Sequence, residues 1–166
     1  MNLEEFYDYK NRLMMDILTN KRIIELIKDD SAPVKRPEEY VYSQVFPYEY
    51  IPETLEQGST YICCDVDIQR TLNKTFLTPV IYIWVFSHRS KLRLPEGGVR
   101  PDAVAAEIAK TINGSRYYGL GELDLYSAKR FAPITDYQGK VLMFQTTDFN
   151  RKYPTGQPVP ANRKNP

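Results

Sequence analysis

The chain of 166 residues contains few of the side chains from which most catalytic and metal sites are built. It has one histidine, His88, and two cysteines, Cys63 and Cys64, which are neighbours in the sequence. A zinc site needs about four such ligands at short, regular spacings, which these residues do not provide. A disulfide between neighbouring strand residues would be strained, because their side chains point to opposite faces. The sequence therefore predicts reduced thiols and no zinc site.

The chain also lacks a charge excess of one sign and a long hydrophobic run. Lys and Arg number 22 against 21 Asp and Glu, so no general basic face is present to bind nucleic acid. No apolar run approaches the roughly 20 residues that span a bilayer. No charged-then-apolar leader precedes the first predicted helix. We therefore expect a protein that is made and kept in water, without a membrane partner.

Tyrosine, in contrast, is abundant. The chain has 13 Tyr, and aromatic residues make up 13% of its composition. Amphipathic tyrosines serve contact surfaces at a low entropic cost. For Tyr117 and Tyr118, which follow the helix predicted over residues 101–113, packing over the end of that helix is an open alternative. The candidates for assembly contacts are Tyr40, Tyr42, Tyr48, Tyr50, Tyr117, Tyr118, Arg151, Lys152 and Tyr153.

The pattern of apolar residues predicts one α+β domain over residues 1–150, followed by an extended arm over residues 151–166. Helical spacing predicts helix over residues 3–28, broken at Thr19 and Asn20 with Asn20 as an N-terminal cap. A second helix is predicted over residues 101–113, ended by Asn113 and Gly114. Strands are predicted over residues 60–69, 79–87, 121–131 and 140–147.

These elements predict a mixed, mainly antiparallel sheet of about four to five strands with the helices packed on one face. Polar and apolar residues alternate over Thr60–Gln69, which is typical of a half-buried strand. The run Val80–Phe86 has no polar face, so we expect a strand inside the sheet with both faces covered. Tyr40–Pro52 contains two prolines and is expected to form a short strand and an extended loop.

The residues with chemical potential do not form a recognisable catalytic set. His88 follows Ser87, but neighbours on a strand face opposite sides, so we expect His88 to be a strand-end or interface residue. Asp65 and Asp67 share a strand face and could hold a divalent cation. A solvated strand face is favoured, because no third carboxylate lies at a local ligand spacing. The sequence thus predicts no enzyme, no cofactor and no metal.

Residues 151–166 differ from the rest of the chain in composition. They contain four basic residues, no acid and four prolines, which leaves 18 Lys and Arg against 21 Asp and Glu in residues 1–150. Such a segment is expected to be extended. Its charge is opposite to that of the domain, so it could dock on an adjacent copy, for example by adding a strand to its sheet. Assembly should then weaken as salt rises.

The order of the elements resembles that of the tail terminator and related neck proteins of tailed bacteriophages. The resemblance covers about residues 3–149 and rests on one helix and three strand segments, namely Asp102–Ile112, Tyr61–Asp67, Ile81–Phe86 and Val141–Thr146. In that family a small α+β subunit forms a ring, usually a hexamer, without catalytic residues. The ring caps the tail tube and joins it to the connector of the head.

The resemblance implies a structural virion protein at the head–tail junction, assembled in the cytoplasm of a bacterial host. Its partners would be further copies of itself, the tail tube protein and the head–tail connector or neck proteins. Non-specific contact with DNA in the lumen stays open. Two alternatives also stay open: a head-completion or other neck protein of the same junction, and a small non-viral binding module without catalysis.

Overall fold

The computed structural model describes residues 5–28, 33–52 and 58–150. Within these ranges the chain forms three α-helices: α1 (Glu5–Thr19), α2 (Lys21–Ile27) and α3 (Arg100–Ile112). It also forms six strands: β1 (Val45–Phe46), β2 (Thr60–Thr71), β3 (Phe76–His88), β4 (Asp124–Phe131), β5 (Tyr137–Gln145) and β6 (Asp148–Phe149). Short 3₁₀ turns lie at Pro37–Tyr40 and Arg89–Lys91.

The strands form one sheet in the order β1-β2-β3-β5-β4, with β6 beside the start of β3. Four strand pairs are antiparallel, and β1 runs parallel to β2. The predicted α+β class and the mainly antiparallel sheet are confirmed. The mixed sheet that was predicted includes a parallel pair, but the sequence did not indicate that β1 and β2 form it; the long connection between them allows the parallel pairing.

The helices follow the local signals in the sequence. The side-chain Oδ1 of Asn20 accepts hydrogen bonds from the backbone N–H groups of Arg22 and Ile23 at 2.9 and 3.2 Å, so Asn20 caps α2. Pro101 lies in the first turn of α3, where a missing N–H costs little. Among the described residues, none of the helices combines the length and the apolarity that crossing a bilayer requires.

All three helices pack on one face of the sheet, which we call the helix-covered face. Buried side chains from β2, β3 and β5 meet the apolar sides of the helices there. Their alternation along each strand follows from the two-residue period of a strand. The sheet residues of this core are Val45, Ile62, Cys64, Val66, Leu77, Ile81, Ile83, Val85, Leu142 and Phe144.

The opposite face, which we call the open face, carries a smaller aromatic core. Phe46, Tyr61, Cys63, Phe86 and Tyr137 are buried there, at the end of the sheet where β3 ends. In the middle of β3 this face is covered less completely, whereas Val80 and Thr78, nearer the start of the strand, are buried. Tyr82 and Trp84, which belong to the run predicted to be covered on both faces, are only half-buried. That prediction therefore holds for the helix-covered face and is wrong for this part of the open face.

The predicted strand bounds shift where loop residues find other partners. Residues 121–123 were predicted to belong to β4, which begins only at Asp124. Leu123 instead exchanges backbone hydrogen bonds with the residues after α3, donating to Ser115 and accepting from Gly114 at 2.8 Å each. Gly114 has a φ of 79°, a left-handed conformation that glycine adopts without strain. The predicted arm, residues 151–166, lies outside the described residues.

Candidate assembly surfaces

The segment from the first 3₁₀ turn to Pro52 carries four of the predicted contact tyrosines. Tyr40 is 1% exposed, and its hydroxyl accepts a hydrogen bond from the backbone N–H of Lys35 at 3.3 Å. Tyr50 is half-buried and stacks on Phe46 with 4.1 Å between ring centroids. Tyr42 and Tyr48 are 63% and 45% exposed. Tyr40 is therefore corrected to a core residue, because packing within the chain leaves its ring no surface for a neighbour.

The exposed tyrosines of this segment are held in place by the residues between them. The buried side chain of Gln44 donates to the carbonyls of Ile27 at 2.7 Å and Thr60 at 3.0 Å, which fixes the segment to α2 and β2. Tyr42 has a φ of 57°, which is uncommon for a residue other than glycine. Its ring lies 6.3 Å from that of Tyr48. These two exposed tyrosines form surface A.

The tyrosine pair after α3 divides between the core and the solvent. Tyr118 is 1% exposed, and its hydroxyl donates to the carboxylate of Asp16. Burial, and after it the hydrogen bond to Asp16, raise the pKa of Tyr118 above the ordinary value of 10.0. Tyr117 is 72% exposed. Tyr118 is thus corrected from a contact candidate to a core residue that packs against α1.

Tyr117 belongs to a second exposed group, surface B, which consists of Tyr117 and Leu120. Leu120 is 49% exposed. The guanidinium of Arg12 on α1 donates to the backbone carbonyl of Tyr117. The backbone N–H of Leu120 donates to Thr147 at 2.9 Å, just beyond the end of β5. Surface B is therefore fixed to both α1 and the sheet, although it lies in a loop.

The two surfaces lie toward opposite ends of the sheet. Surface A adjoins Phe46 of β1. Phe46 pairs with Cys63 of β2, and Cys63 pairs with Trp84 in the second half of β3. Surface B adjoins Thr147, next to Thr146, whose N–H donates to Pro79 near the start of β3 at 3.2 Å. Surface A borders the aromatic core of the open face, whereas Tyr118 beside surface B belongs to the helix-covered core. One chain thus presents two different exposed tyrosine surfaces.

The residues considered for catalysis or metal binding are engaged in local contacts. His88 ends β3, as predicted, and its Nδ1 lies 2.7 Å from the hydroxyl of Ser90. The carboxylate of Asp65 pairs with Lys10 on α1, while Asp67 is exposed. Within residues 5–28, 33–52 and 58–150, no group of three or more His, Cys, Asp or Glu side chains is arranged to hold a metal ion.

The two cysteines are buried and free, in agreement with the predicted reduced thiols. Cys64 belongs to the helix-covered core and Cys63 to the aromatic core, so their side chains point to opposite faces of β2. Burial raises the pKa of each thiol from 9.0 to about 12. Both thiols are therefore protonated and poorly nucleophilic at neutral pH.

The sequence did not single out the half-buried aromatic residues of the open face. Tyr82 and Trp84 stack with 5.7 Å between ring centroids and an angle of 14°. Tyr126 on β4 is 40% exposed, and Met143 on β5 is half-buried and lies opposite Tyr82. The available signal was the run Val80–Phe86 itself, in which three of the four residues at even positions, Tyr82, Trp84 and Phe86, are aromatic. Aromatic rings of this kind are frequent in contact surfaces.

The fold and the surfaces define an α+β protein that exposes tyrosines toward two ends of one sheet. A family model, that of YomW, matches residues 10–146. Since this match spans most of the chain, the protein belongs to the YomW family. YomW is a phage-encoded protein of the Bacillus prophage type, so the family is phage-related. Comparisons with the curated proteins and with the solved structures give no match.

Proposed function

We propose that the chain is a structural virion protein, a ring-forming tail terminator subunit at the head–tail junction. The observation that carries this proposal is the match of residues 10–146 to a phage-related family. The resemblance of the element order to tail terminators supplies the position in the virion. In the proposal, a ring of six copies caps the tail tube and joins it to the head–tail connector.

Two separate contact surfaces support this proposal. A ring is built by head-to-tail contacts, so each copy needs one surface for the preceding copy and a different one for the next. Surfaces A and B meet this requirement, because each is exposed and each is fixed by hydrogen bonds to the sheet or a helix. A buried tyrosine contributes about 150 Å² or more of contact area, so a few such residues form the centre of a standard interface.

Electrostatics gives this proposal a further expected property. Residues 151–166 carry four basic side chains, whereas residues 1–150 have 18 Lys and Arg against 21 Asp and Glu. Attraction between opposite charges at an exposed interface is screened by salt. Ring assembly should therefore weaken as the salt concentration rises. Any non-specific contact with DNA in the lumen would be weak, because the near-zero net charge offers little affinity for phosphates.

Variants of the two surfaces test the ring. Replacing Tyr42 and Tyr48 by serine removes the aromatic part of surface A, and replacing Tyr117 by serine does the same for surface B. We expect rings of the unmodified chain in electron micrographs and single copies of either variant in sedimentation experiments. Tyr7→Ser is the matched control, because Tyr7 is 71% exposed on α1 and belongs to neither surface. The control should still form rings.

A mixture of the two variants makes this test more specific. The surface A variant keeps an intact surface B, and the surface B variant keeps an intact surface A. One contact between the two variants therefore remains, and an equimolar mixture should yield dimers but no rings. The ring is disproved if the unmodified chain stays a single copy at high protein concentration. It is also disproved if both variants form the same assemblies as the unmodified chain.

The position in the virion needs a separate experiment. In a phage that encodes this chain, loss of the chain should leave filled heads and tail tubes without their terminal cap, which do not join because the ring between them is missing. Electron micrographs of the lysate show this directly. Normal joined particles without the chain would contradict the assignment to the junction, whatever its oligomeric state.

A further inference from the structure

The hydrogen bonds of the sheet show which backbone groups face its two outer edges. In an antiparallel sheet, successive residues of a strand direct their N–H and C=O groups alternately to one neighbour and to the other. The N–H of Ile62 donates to Gln44 at 2.8 Å, so the even-numbered residues of β2 face the edge. The N–H of Thr146 donates to Pro79 at 3.2 Å, so the odd-numbered residues of β3 face β5. These two observations agree, and the register extends the alternation to β4.

The edge on the side of β1 and β2 is protected. The turn before β1 covers that strand, since the N–H of Tyr42 donates to Val45 at 2.9 Å. Farther along β2, the N–H of Val66 faces the edge, where the carboxylate of Asp65 accepts its hydrogen bond at 2.7 Å. The same carboxylate pairs with Lys10 of α1. These contacts interrupt the row of backbone groups that a further strand would need.

The other edge is formed by β4, and it is protected where this strand begins. The N–H of Leu125 donates to the side chain of Asn113 at 2.8 Å, and a bulge follows. After the bulge the pairing with β5 is regular to the end of the strand. The alternation directs the N–H and C=O groups of Ala128 and Arg130 away from β5. Within the part of the chain that the structure describes, no further strand lies beside them.

This second half of β4 is basic. Lys129 is exposed. Arg130 donates to the neutral side chain of Gln138 at 2.8 Å and lies opposite Lys140 in the sheet. Lys140 pairs with Asp102 at 3.4 Å, whereas no acid among the described residues pairs with the other two cations. A strand that carries carboxylates would therefore be attracted to this edge.

The same charges make the β4 edge of a second copy a poor partner. Two β4 strands paired antiparallel bring Lys129 and Arg130 of one copy near those of the other, and neighbouring like charges destabilise a strand pair. Lysine on an edge strand is a common protection against such self-association. The edge thus disfavours its own copy and favours an acidic segment.

We propose that the second half of β4 binds an extended acidic segment of another protein, which adds a strand to the sheet. The backbone groups of Ala128 and Arg130 supply the hydrogen bonds, and Lys129 selects a segment with carboxylates beside it. This contact uses neither surface A nor surface B. The proposal therefore does not depend on the proposed ring.

Synthetic peptides test the charge requirement. A peptide that alternates threonine and glutamate presents all its carboxylates on one face of a strand, and a control peptide carries lysine in place of glutamate. In titrations followed by the fluorescence anisotropy of a dye on the peptide, the full chain should bind the acidic peptide and not the basic one. Lys129→Glu should weaken binding about fivefold, because repulsion replaces an exposed charge pair. Lys21→Glu, an equal change of charge at an exposed residue of α2, should leave the affinity unchanged.

Equal binding of the two peptides would overturn the proposal. An equal loss of affinity in the Lys129 and Lys21 variants would also overturn it, because the attraction would then come from the net charge and not from the edge.

Amide hydrogen exchange followed by NMR tests the position of the bound segment. In the surface A variant, which should be a single copy, the N–H groups of Ala128 and Arg130 should exchange faster than that of Lys129, which faces β5. A saturating amount of the acidic peptide should slow exchange at Ala128 and Arg130 about tenfold, as expected for a hydrogen bond of ordinary strength. Unchanged exchange at both residues would contradict the added strand. Protection without peptide that increases with protein concentration would show that a second copy occupies the edge, and the proposal would be wrong.

Discussion

The two faces of the sheet differ in both composition and burial, although the same strands supply them. On the helix-covered face, β3 contributes aliphatic side chains that are at most 2% exposed. On the open face it contributes Tyr82, Trp84 and Phe86, of which only Phe86 is fully buried. Aliphatic side chains pack densely and have no polar group to satisfy, whereas tyrosine and tryptophan tolerate partial exposure to water. The comparison indicates that the helix-covered face contributes more to stability, whereas the open face leaves aromatic rings partly exposed.

The open face is itself divided along β3. At the end of the strand, Phe86, Tyr61 and Tyr137 form a buried network with ring centroids 5.6 to 5.9 Å apart. Phe46 from β1 packs on this network, with its ring 6.3 Å from that of Tyr61. Toward the start of the strand the rings are half-buried. We therefore expect substitutions at the end of β3 to affect folding and those in its middle to affect contacts.

The largest effect is expected at Gly139, below the buried aromatic network. An added Cβ would lie 1.9 Å from the backbone oxygen of Val85 and 2.6 Å from the Cα of Phe86, so the strands would have to separate. Gly139→Ala should cost about 4 kcal/mol or more, or prevent folding. The matched control is Gly121→Ala, whose Cβ would meet only the Thr146 hydroxyl at an ordinary 3.5 Å. Urea denaturation measures both, and equal stability of the two variants would contradict this account.

A smaller difference should separate two neighbours in β3. Ile83 is 0% exposed on the helix-covered face, while Tyr82 is half-buried on the open face. Ile83→Ala should lower the free energy of unfolding by about 3 kcal/mol, because it leaves a cavity among the helices. Tyr82→Ala should cost about 1 kcal/mol. Denaturation of both full-length variants provides the comparison. Similar losses at the two positions would show that the two faces contribute equally to stability.

The smallest effect is expected for the tyrosine pair beside surface B. Tyr118→Phe removes the hydrogen bond to Asp16 and should cost about 1 kcal/mol, whereas Tyr117→Phe should change stability little. The raised pKa of Tyr118 adds a pH dependence. Below pH 10 the hydroxyl of Tyr118 contributes fully to the free energy of unfolding. Above pH 10 this contribution is lost, because the unfolded chain releases the hydroxyl proton at a lower pH than the folded chain does.

Stability measured from pH 8 to pH 11 tests this dependence. The unmodified chain and Tyr117→Phe should lose stability more steeply above pH 10 than Tyr118→Phe, since phenylalanine has no proton to release. If all three proteins lose stability with the same slope, Tyr118 does not contribute to the alkaline sensitivity.

Local patterns were sufficient for the elements themselves. The four-residue spacing of Val104, Ile108 and Ile112 predicted α3, and an apolar run predicted that β3 lies inside the sheet. These signals depend on residues close together in the sequence. The parallel pairing of β1 with β2 could not be predicted, because it depends on the path of the connecting segment.

Sequence alone determined the fold class, the reduced state of the thiols and the abundance of tyrosine. The tertiary structure decided which tyrosines face the solvent. Tyr117 and Tyr118 are neighbours of the same type, yet one is 72% and the other 1% exposed. Tyr118 packs in the helix-covered core, where Asp16, 102 positions away in the chain, accepts a hydrogen bond from its hydroxyl. Because tyrosine is stable both in a core and at a surface, only the contacts of the folded chain distinguish the two roles.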